Sequence, residues 1–294
     1  DYTSMAVIER EFGRTSHALH AWVARPTELL LATEGAQKKR YLAPCVTGAK
    51  RELFALSEPE AGSDIMSMKS NAKRDGDDWI LSGSKHFISG PVMPDFAIVF
   101  AATGHDETPR GPRPRITAFL VDVGMPGFDI QVGYNCVSYR GYLNFKLDFD
   151  NVRLGPDHIL GEEGRGLELS GKWLGMGRIW VGATCCGKAE RLFEMAKGWA
   201  AERKQFGQAI GKFQATGFKL ADMAVELRAA DLLVKDAISK ADQGVMTDSD
   251  AAMVKLYCSE MLNRVADNTV QIYGGMGLMD DLPVQRLWRD SRLE

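Results

Sequence analysis

The sequence predicts an α+β chain: an N-terminal helical segment, a central antiparallel β-sandwich or barrel domain, and a C-terminal helical bundle. Three observations carry this reading. Near the start, Met5, Ile8, Phe12, Ala18, Leu19 and Trp22 recur at helical spacing. From about Glu52 to Leu154, short apolar runs alternate with turn residues. After Gly164-Arg165-Gly166 the strand pattern stops and helical periodicity takes over. The expected boundaries are 1–51 for part of a helical domain, 52–160 for the β-domain and 161–294 for the bundle, its last helix missing.

In the first zone Pro26 interrupts the helical pattern and Gln37 to Leu42 resumes it. In the second, the strand runs are Trp79-Ile80-Leu81, Phe96 to Phe100, Ile116 to Val121 and Phe145 to Phe149. Turn chemistry separates them at Asp75-Gly76-Asp77, at Ser82-Gly83-Ser84 and across Gly104 to Pro114, read as an exposed hairpin loop. Strands without intervening helices favour antiparallel pairing. In the third zone, Leu167 to Arg203 contains no proline and reads as one long helix. Phe213, Leu220, Met223, Leu227, Ala230, Val234, Ala237 and Ala241 define a second, ended by Gln243-Gly244. Val254, Tyr257, Met261, Val265 and Ile272 define a third, ended by Gly274-Gly275, and a fourth begins near Pro283.

Composition narrows the function classes. Lys plus Arg total 36 and Asp plus Glu 39, a net charge of -3, so there is no basic footprint for nucleic acid. No apolar run approaches the roughly 20 residues of a membrane span. Five cysteines without CxxC suggest neither a disulfide framework nor a zinc ribbon, and a reducing, cytoplasmic setting is expected. Vicinal Cys185 and Cys186 read as small core hydrophobes. His17, His20, His86, His105 and His158 show no metal-ligand spacing, and no nucleophile motif is present.

Four stretches remain as candidates. Phe54-Ala55-Leu56-Ser57-Glu58-Pro59-Glu60-Ala61-Gly62-Ser63-Asp64 runs a short strand into a Pro/Gly turn carrying hydroxyls and carboxylates. An ordinary capped turn would look alike. Lys85-His86-Phe87-Ile88-Ser89-Gly90 sets an aromatic and a hydroxyl two residues apart on one strand face, which suits a planar heterocycle or any sheet surface. Arg203-Lys204-Gln205-Phe206-Gly207-Gln208-Ala209-Ile210-Gly211-Lys212-Phe213-Gln214 joins two helices and offers Arg203 to a phosphate. Gln271-Ile272-Tyr273-Gly274-Gly275-Met276-Gly277 follows no strand, so it is no Rossmann fingerprint, yet it can expose backbone amides.

In order and spacing, these stretches resemble the acyl-CoA dehydrogenase family over essentially the whole chain. Ala55 to Asp64 is similar to its first signature, Arg203-Lys204-Gln205-Phe206-Gly207 to its FAD motif, and Gln271 to Gly277 to its late glycine motif. Trp288-Arg289-Asp290-Ser291-Arg292 is similar to the approach to its catalytic loop. The resemblance implies a helical, β and four-helix-bundle order, one FAD per subunit, a homotetramer built as a dimer of dimers, and a place in fatty acid metabolism. It implies α,β-dehydrogenation of an acyl-CoA thioester to the trans-2-enoyl-CoA, with electrons passed to an electron-transferring flavoprotein. An oxygen-using acyl-CoA oxidase and a non-catalytic binding protein on the same fold are the alternatives.

Carried over by position, the resemblance places Phe54, Leu56 and Ser57 along the isoalloxazine, largely through backbone groups and the Ser57 hydroxyl. Phe87 and Ser89 cover its other side, where many relatives have Trp and Thr; Ser57 also replaces Thr. Arg203, Gln205, Phe206, Ile210, Phe213, Gln214, Gln271, Gly274 and Gly275 hold the pyrophosphate and adenosine of a neighbouring subunit's FAD. Ser63 touches the CoA arm, and Arg178 is either a CoA contact or a helix-surface charge. The catalytic base is expected just beyond Glu294 in a longer protein, since Gly177, at the alternative base position on the long helix, cannot act as one.

Overall fold

The computed structural model describes residues 1–16, 26–109 and 111–294. Ala18, Leu19 and Trp22 of the expected helical repeat, with His17 and His20, lie outside the described residues. The chain groups into two compact units. One holds the described residues up to Ser16, Val137–Arg140 and Leu174–Glu294, and the other holds those of 26–136 and 141–173.

The second unit is built on an eight-stranded sheet. Its strands are β1 (Glu52–Ala55), β2 (Asn71–Asp75), β3 (Asp78–Gly90), β4 (Phe96–Thr108), β5 (Gly111–Asp122), β6 (Phe128–Val132), β7 (Leu143–Leu154) and β8 (Ile159–Leu160). The order is β6-β7-β3-β2-β4-β5-β8, with β1 also on β4. Most pairings are antiparallel, but β1 and the first residue of β2 both run parallel to β4. They follow one another along the same edge, so the purely antiparallel expectation fails there. In effect one strand is interrupted by an excursion from Leu56 to Ser70.

Both faces of β4 and β5 are covered. Ala97, Val99, Ala101, Phe119 and Val121 enter one core, while Phe96, Ile98, Phe100, Ala118 and Leu120 enter another. This explains the continuous apolar runs, which alternation would have broken. The second core also takes Leu29, Leu30, Tyr41 and Cys45 from the short helical turns Glu28–Ala32, Lys38–Leu42 and Ala43–Val46, with the Tyr41 ring tilted against Phe96 at 4.7 Å.

Two expected turns are not turns. Ser82-Gly83-Ser84 lies inside β3, where Gly83 at φ 140° forms a bulge against Ser70. A Cβ on Gly83 would stand 2.3 Å from the Ser70 hydroxyl oxygen, so glycine serves close approach here. Gly104 to Pro114 is a β4–β5 ladder continuing to the pair Thr108 and Gly111. The Thr108 hydroxyl donates to the Gly111 carbonyl at 2.7 Å, and Arg115 pairs with Asp106 at 2.9 Å.

The helical unit contains α1 (Tyr2–Gly13), α2 (Gly166–Glu202, from Leu174 onward), α3 (Gln214–Asp242), α4 (Asp248–Tyr273) and α5 (Pro283–Ser291). The long helices match the expected spans. In α1 the buried face is Ala6, Glu9 and Gly13, not the Met5, Ile8 and Phe12 stripe; Ile8 is 45% exposed. Close backbone approach is the cause. A Cβ on Gly13 would lie 2.2 Å from the Thr184 carbonyl oxygen, and one on Gly187 would lie 1.9 Å from that of Arg10. Arg10 and Arg14 flank the contact, paired with Glu190, Glu194 and Asp231. Cys185, Cys186 and Cys258 are buried as free thiols. No helix among the described residues is long and apolar enough to cross a membrane.

Candidate functional site

In the sheet unit, the candidate residues sit where the β1/β2 edge is broken. The excursion turns sharply: Glu58 N–H donates to Ala61 O at 3.0 Å, and Ala61 N–H returns to Glu58 O at 3.2 Å. Gly62 and Ser63 lie exposed at its outer end. The rings of Phe54 and Trp173 pack tilted against each other at 4.6 Å, and Leu56 is buried in the same core. These two side chains are therefore committed to packing, and only their main chain can face a ligand. Ser57 is half-buried, and its carbonyl accepts from the His86 N–H at 3.0 Å. That bond joins the excursion to β3.

The far end of β3 carries the second candidate pair. A register shift between Lys85 and Ile88 throws Phe87 outward. Phe87 adopts φ 55° and is 58% exposed. Left-handed backbone is an outlier for a bulky residue. Its ring lies 4.0 Å from His86 and 5.1 Å from Tyr134, and the Lys146 ammonium lies 4.6 Å from the Tyr134 ring. Ser89 is exposed and accepts from Asn144 Nδ2 at 3.4 Å, while Asn144 Oδ1 is buried with no partner among the described residues. Tyr134 and Asn144 carried no signal in the sequence, because only the β3–β7 register brings Asn144 opposite Ser89.

Beneath these residues lies a buried ion pair that the motif reading also missed. Lys85 Nζ donates to Glu58 Oε1 at 2.7 Å and to Leu56 O at 3.0 Å. Burial pushes the Lys85 ammonium down to about 8. Glu58 is held below the usual carboxylate range: burial opposes this, but the Lys85 charge and the Ser70 and Lys69 donors outweigh it.

The helical unit presents its own group. After α2 the chain makes a two-residue hairpin, Lys204–Gln205 against Gln208–Ala209. Its turn residues Phe206 and Gly207 have φ 50° and 78°, the signs of a type I′ turn. Phe206 is 94% exposed, edge-on to Phe213 at 6.1 Å. Ile210 N–H closes the loop on Arg203 O at 2.8 Å, and Ile210 packs partly on the core. The side chains of Arg203, Gln205 and Gln214 are exposed. Trp199 stacks on Tyr273 at 4.6 Å, tying the end of α2 to the end of α4. There Gln271, Gly274 and Gly275 are exposed, with nothing within 4 Å of a Cβ built on either glycine. Arg178 is exposed on α2, and Gly177 beside it also faces open space. Asp290 is buried and accepts from the Tyr139 N–H at 2.8 Å, so the Arg289-Asp290 stretch anchors Val137–Arg140. Among the described residues no cluster could hold a metal ion.

The family model for the acyl-CoA dehydrogenase middle domain matches residues 53–152, and that for the C-terminal domain matches 164–294. The chain belongs to the acyl-CoA dehydrogenase family. It is 36% identical to a 3-(aryl)acrylate reductase of Clostridium sporogenes over 298 aligned residues, covering 100% of this chain and 78% of that one. It is 35% identical, with the same coverage, to the caffeyl-CoA reductase-Etf complex subunit CarC of Acetobacterium woodii. The butyryl-CoA dehydrogenase structure from Megasphaera elsdenii superposes with a TM-score of 0.89 at 33% identity, covering 100% of this chain and 77% of that one. The acyl-CoA dehydrogenases are FAD-dependent oxidoreductases, and the α+β architecture expected from the sequence is theirs.

Proposed function

We propose that this acyl-CoA dehydrogenase homologue catalyses α,β-dehydrogenation of an acyl-CoA thioester to the trans-2-enoyl-CoA and passes the electrons to an electron-transferring flavoprotein. One observation carries the reading. Each of two cofactor-like stretches holds an exposed phenylalanine in left-handed backbone, Phe87 and Phe206. That conformation costs an L residue about 1–2 kcal/mol. At Phe206 the type I′ turn accounts for the conformation, whereas Phe87 holds it within β3 at the β3–β7 register shift, and strained positions of that kind cluster at functional sites.

The residues suit a flavin. A flat ring needs an aromatic face and mixed donors and acceptors at its edge. Phe87, the Ser57 and Ser89 hydroxyls and the unpartnered Asn144 Oδ1 are such a set. In this role Phe54 and Leu56 contribute main-chain groups. Arg203, Gln205, Phe206, Ile210, Phe213 and Gln214, with Gln271, Gly274 and Gly275, hold the pyrophosphate and adenosine of a neighbouring subunit's FAD. Open space over both glycines suits that close approach. Bound FAD supplies the hydride acceptor for the substrate β-carbon. The protein's part is position and polarity. Ser63 and Arg178 hold the CoA arm, Arg178 by a charge-assisted bond to phosphate.

A homo-oligomer follows from the same assignment. Phe218, Val225 and Leu232 recur every seven residues along α3 and are all exposed, an apolar stripe suited to a second copy. The two relatives named as reductases favour a second reading, the reverse reaction on an acrylate-like thioester. An enzyme lowers one barrier for both directions, so the electron partner decides between them. The test is to reduce the flavin-loaded protein with substrate and mix it with electron-transferring flavoprotein or with oxygen. Rapid transfer to the flavoprotein is expected. Fast reoxidation by oxygen alone would replace the dehydrogenase reading with an oxidase.

A further inference from the structure

We infer that Lys85 and Glu58 are a positioning pair that aims the Ser57 N–H at the flavin. The inference rests on the cofactor reading above. Inward positions along β3 alternate through Trp79, Leu81, Gly83 and Lys85. Gly83 at the bulge takes the inward position after Leu81, and at the next inward position, where the strand's period calls for an apolar residue, a lysine stands with 0% of its side chain exposed. Its partner Glu58 is 3% exposed.

The pair ties together three stretches of main chain. Lys85 Nζ holds the Leu56 carbonyl at 3.0 Å. Glu58 accepts from the Lys69 N–H at 2.6 Å and the Ser70 N–H at 3.1 Å, which fixes the entry to β2. The His86 N–H holds the Ser57 carbonyl at 3.0 Å. A trans peptide points its C=O and the following N–H to opposite sides. With the Leu56 carbonyl drawn inward to Lys85, the Ser57 N–H must point away from the ion pair. No hydrogen bond engages that N–H among the described residues. The ammonium thus acts as a fixed stop behind the Leu56–Ser57 peptide, two residues before Phe87 on the neighbouring strand.

Stability alone does not account for the pair. Burying two ions costs several kcal/mol per ion, and a packed apolar pair of similar volume is often equally stable or more so. What an apolar pair cannot do is hold the Leu56 carbonyl in one orientation.

The test compares wild type with Lys85→Met/Glu58→Leu, which removes both charges and leaves no orphan ion. The readouts are flavin dissociation constant, the visible spectrum of bound flavin, and melting of the apoprotein. The double variant is expected to fold but to melt lower than wild type, because the Lys69 and Ser70 N–H groups and the Leu56 carbonyl lose their partners, to bind flavin about tenfold more weakly, as for one lost well-aimed hydrogen bond, and to show a shifted spectrum. Lys85→Gln keeps a donor for Glu58 but is too short to hold both partners. It is the second reading should the apolar pair fail to fold, with the same flavin loss expected. Wild-type affinity and spectrum in the folded variants would overturn the inference while leaving the cofactor reading intact. A wild-type protein that binds no flavin would overturn both.

Discussion

Replacing Phe87 by Asn separates strain from packing. Asn tolerates left-handed backbone, so the change releases about 1–2 kcal/mol held at φ 55°. Against this stands the loss of ring contacts to His86 at 4.0 Å and Tyr134 at 5.1 Å. An aromatic pair is worth about 0.5–1.5 kcal/mol beyond burial, and less where the ring is 58% exposed. The two effects nearly cancel, so apoprotein stability is expected to change by less than about 1 kcal/mol. Flavin binding loses a ring face of comparable worth and should weaken roughly three- to tenfold. Phe87→Trp keeps the face and should keep the flavin. The assay pairs denaturant unfolding of the apoprotein with equilibrium flavin binding. An Asn variant that melts well below wild type but binds flavin normally would make Phe87 a packing residue and refute the argument.

Three further outcomes are expected. Arg203→Ala should weaken FAD retention and oligomer stability together, read by flavin content and sedimentation; no change in either would place Arg203 elsewhere. Gly187→Ala should destabilise the fold by about 1–3 kcal/mol, because its Cβ would stand 1.9 Å from the Arg10 carbonyl oxygen; unaltered melting would show that α1 does not pack so closely. Glu58 is lowered below its ordinary 4.5, so its contribution to stability is complete above that pH and is lost as acidification passes the lower folded value. Unfolding measured from neutral to acid pH should therefore lose part of its acid slope in Glu58→Gln, and an identical slope would contradict the pairing with Lys85.

The long helices were legible because α2 to α4 contain no proline, and α3 and α4 end close before Gly244 and Gly274. The sheet was legible less evenly. Gly83 and the Gly104 to Pro114 stretch carry turn residues, but glycine also serves bulges, and prolines also sit in exposed ladders. The buried face of α1 was hidden because packing on glycines rewards small residues, not the apolar stripe. The motif residues of the site could be named from order and spacing. Tyr134 and Asn144 could not, since the β3–β7 register sets Asn144 opposite Ser89 and the pairing of β6 with β7 carries Tyr134 to Phe87. Lys85 left one usable trace, a lysine on the inward side of an apolar strand, but its partner Glu58 lies across the turn and only the fold joins them.

The most direct test of the central claim is an anaerobic titration of the purified, flavin-loaded protein with acyl-CoA thioesters of varied chain and aryl character. Bleaching of the flavin, with one trans-2-enoyl-CoA formed per flavin reduced, is the expected result, and the thioester that bleaches fastest identifies the substrate class. A protein that binds FAD yet stays oxidised with every thioester, or yields no enoyl product, would contradict the account.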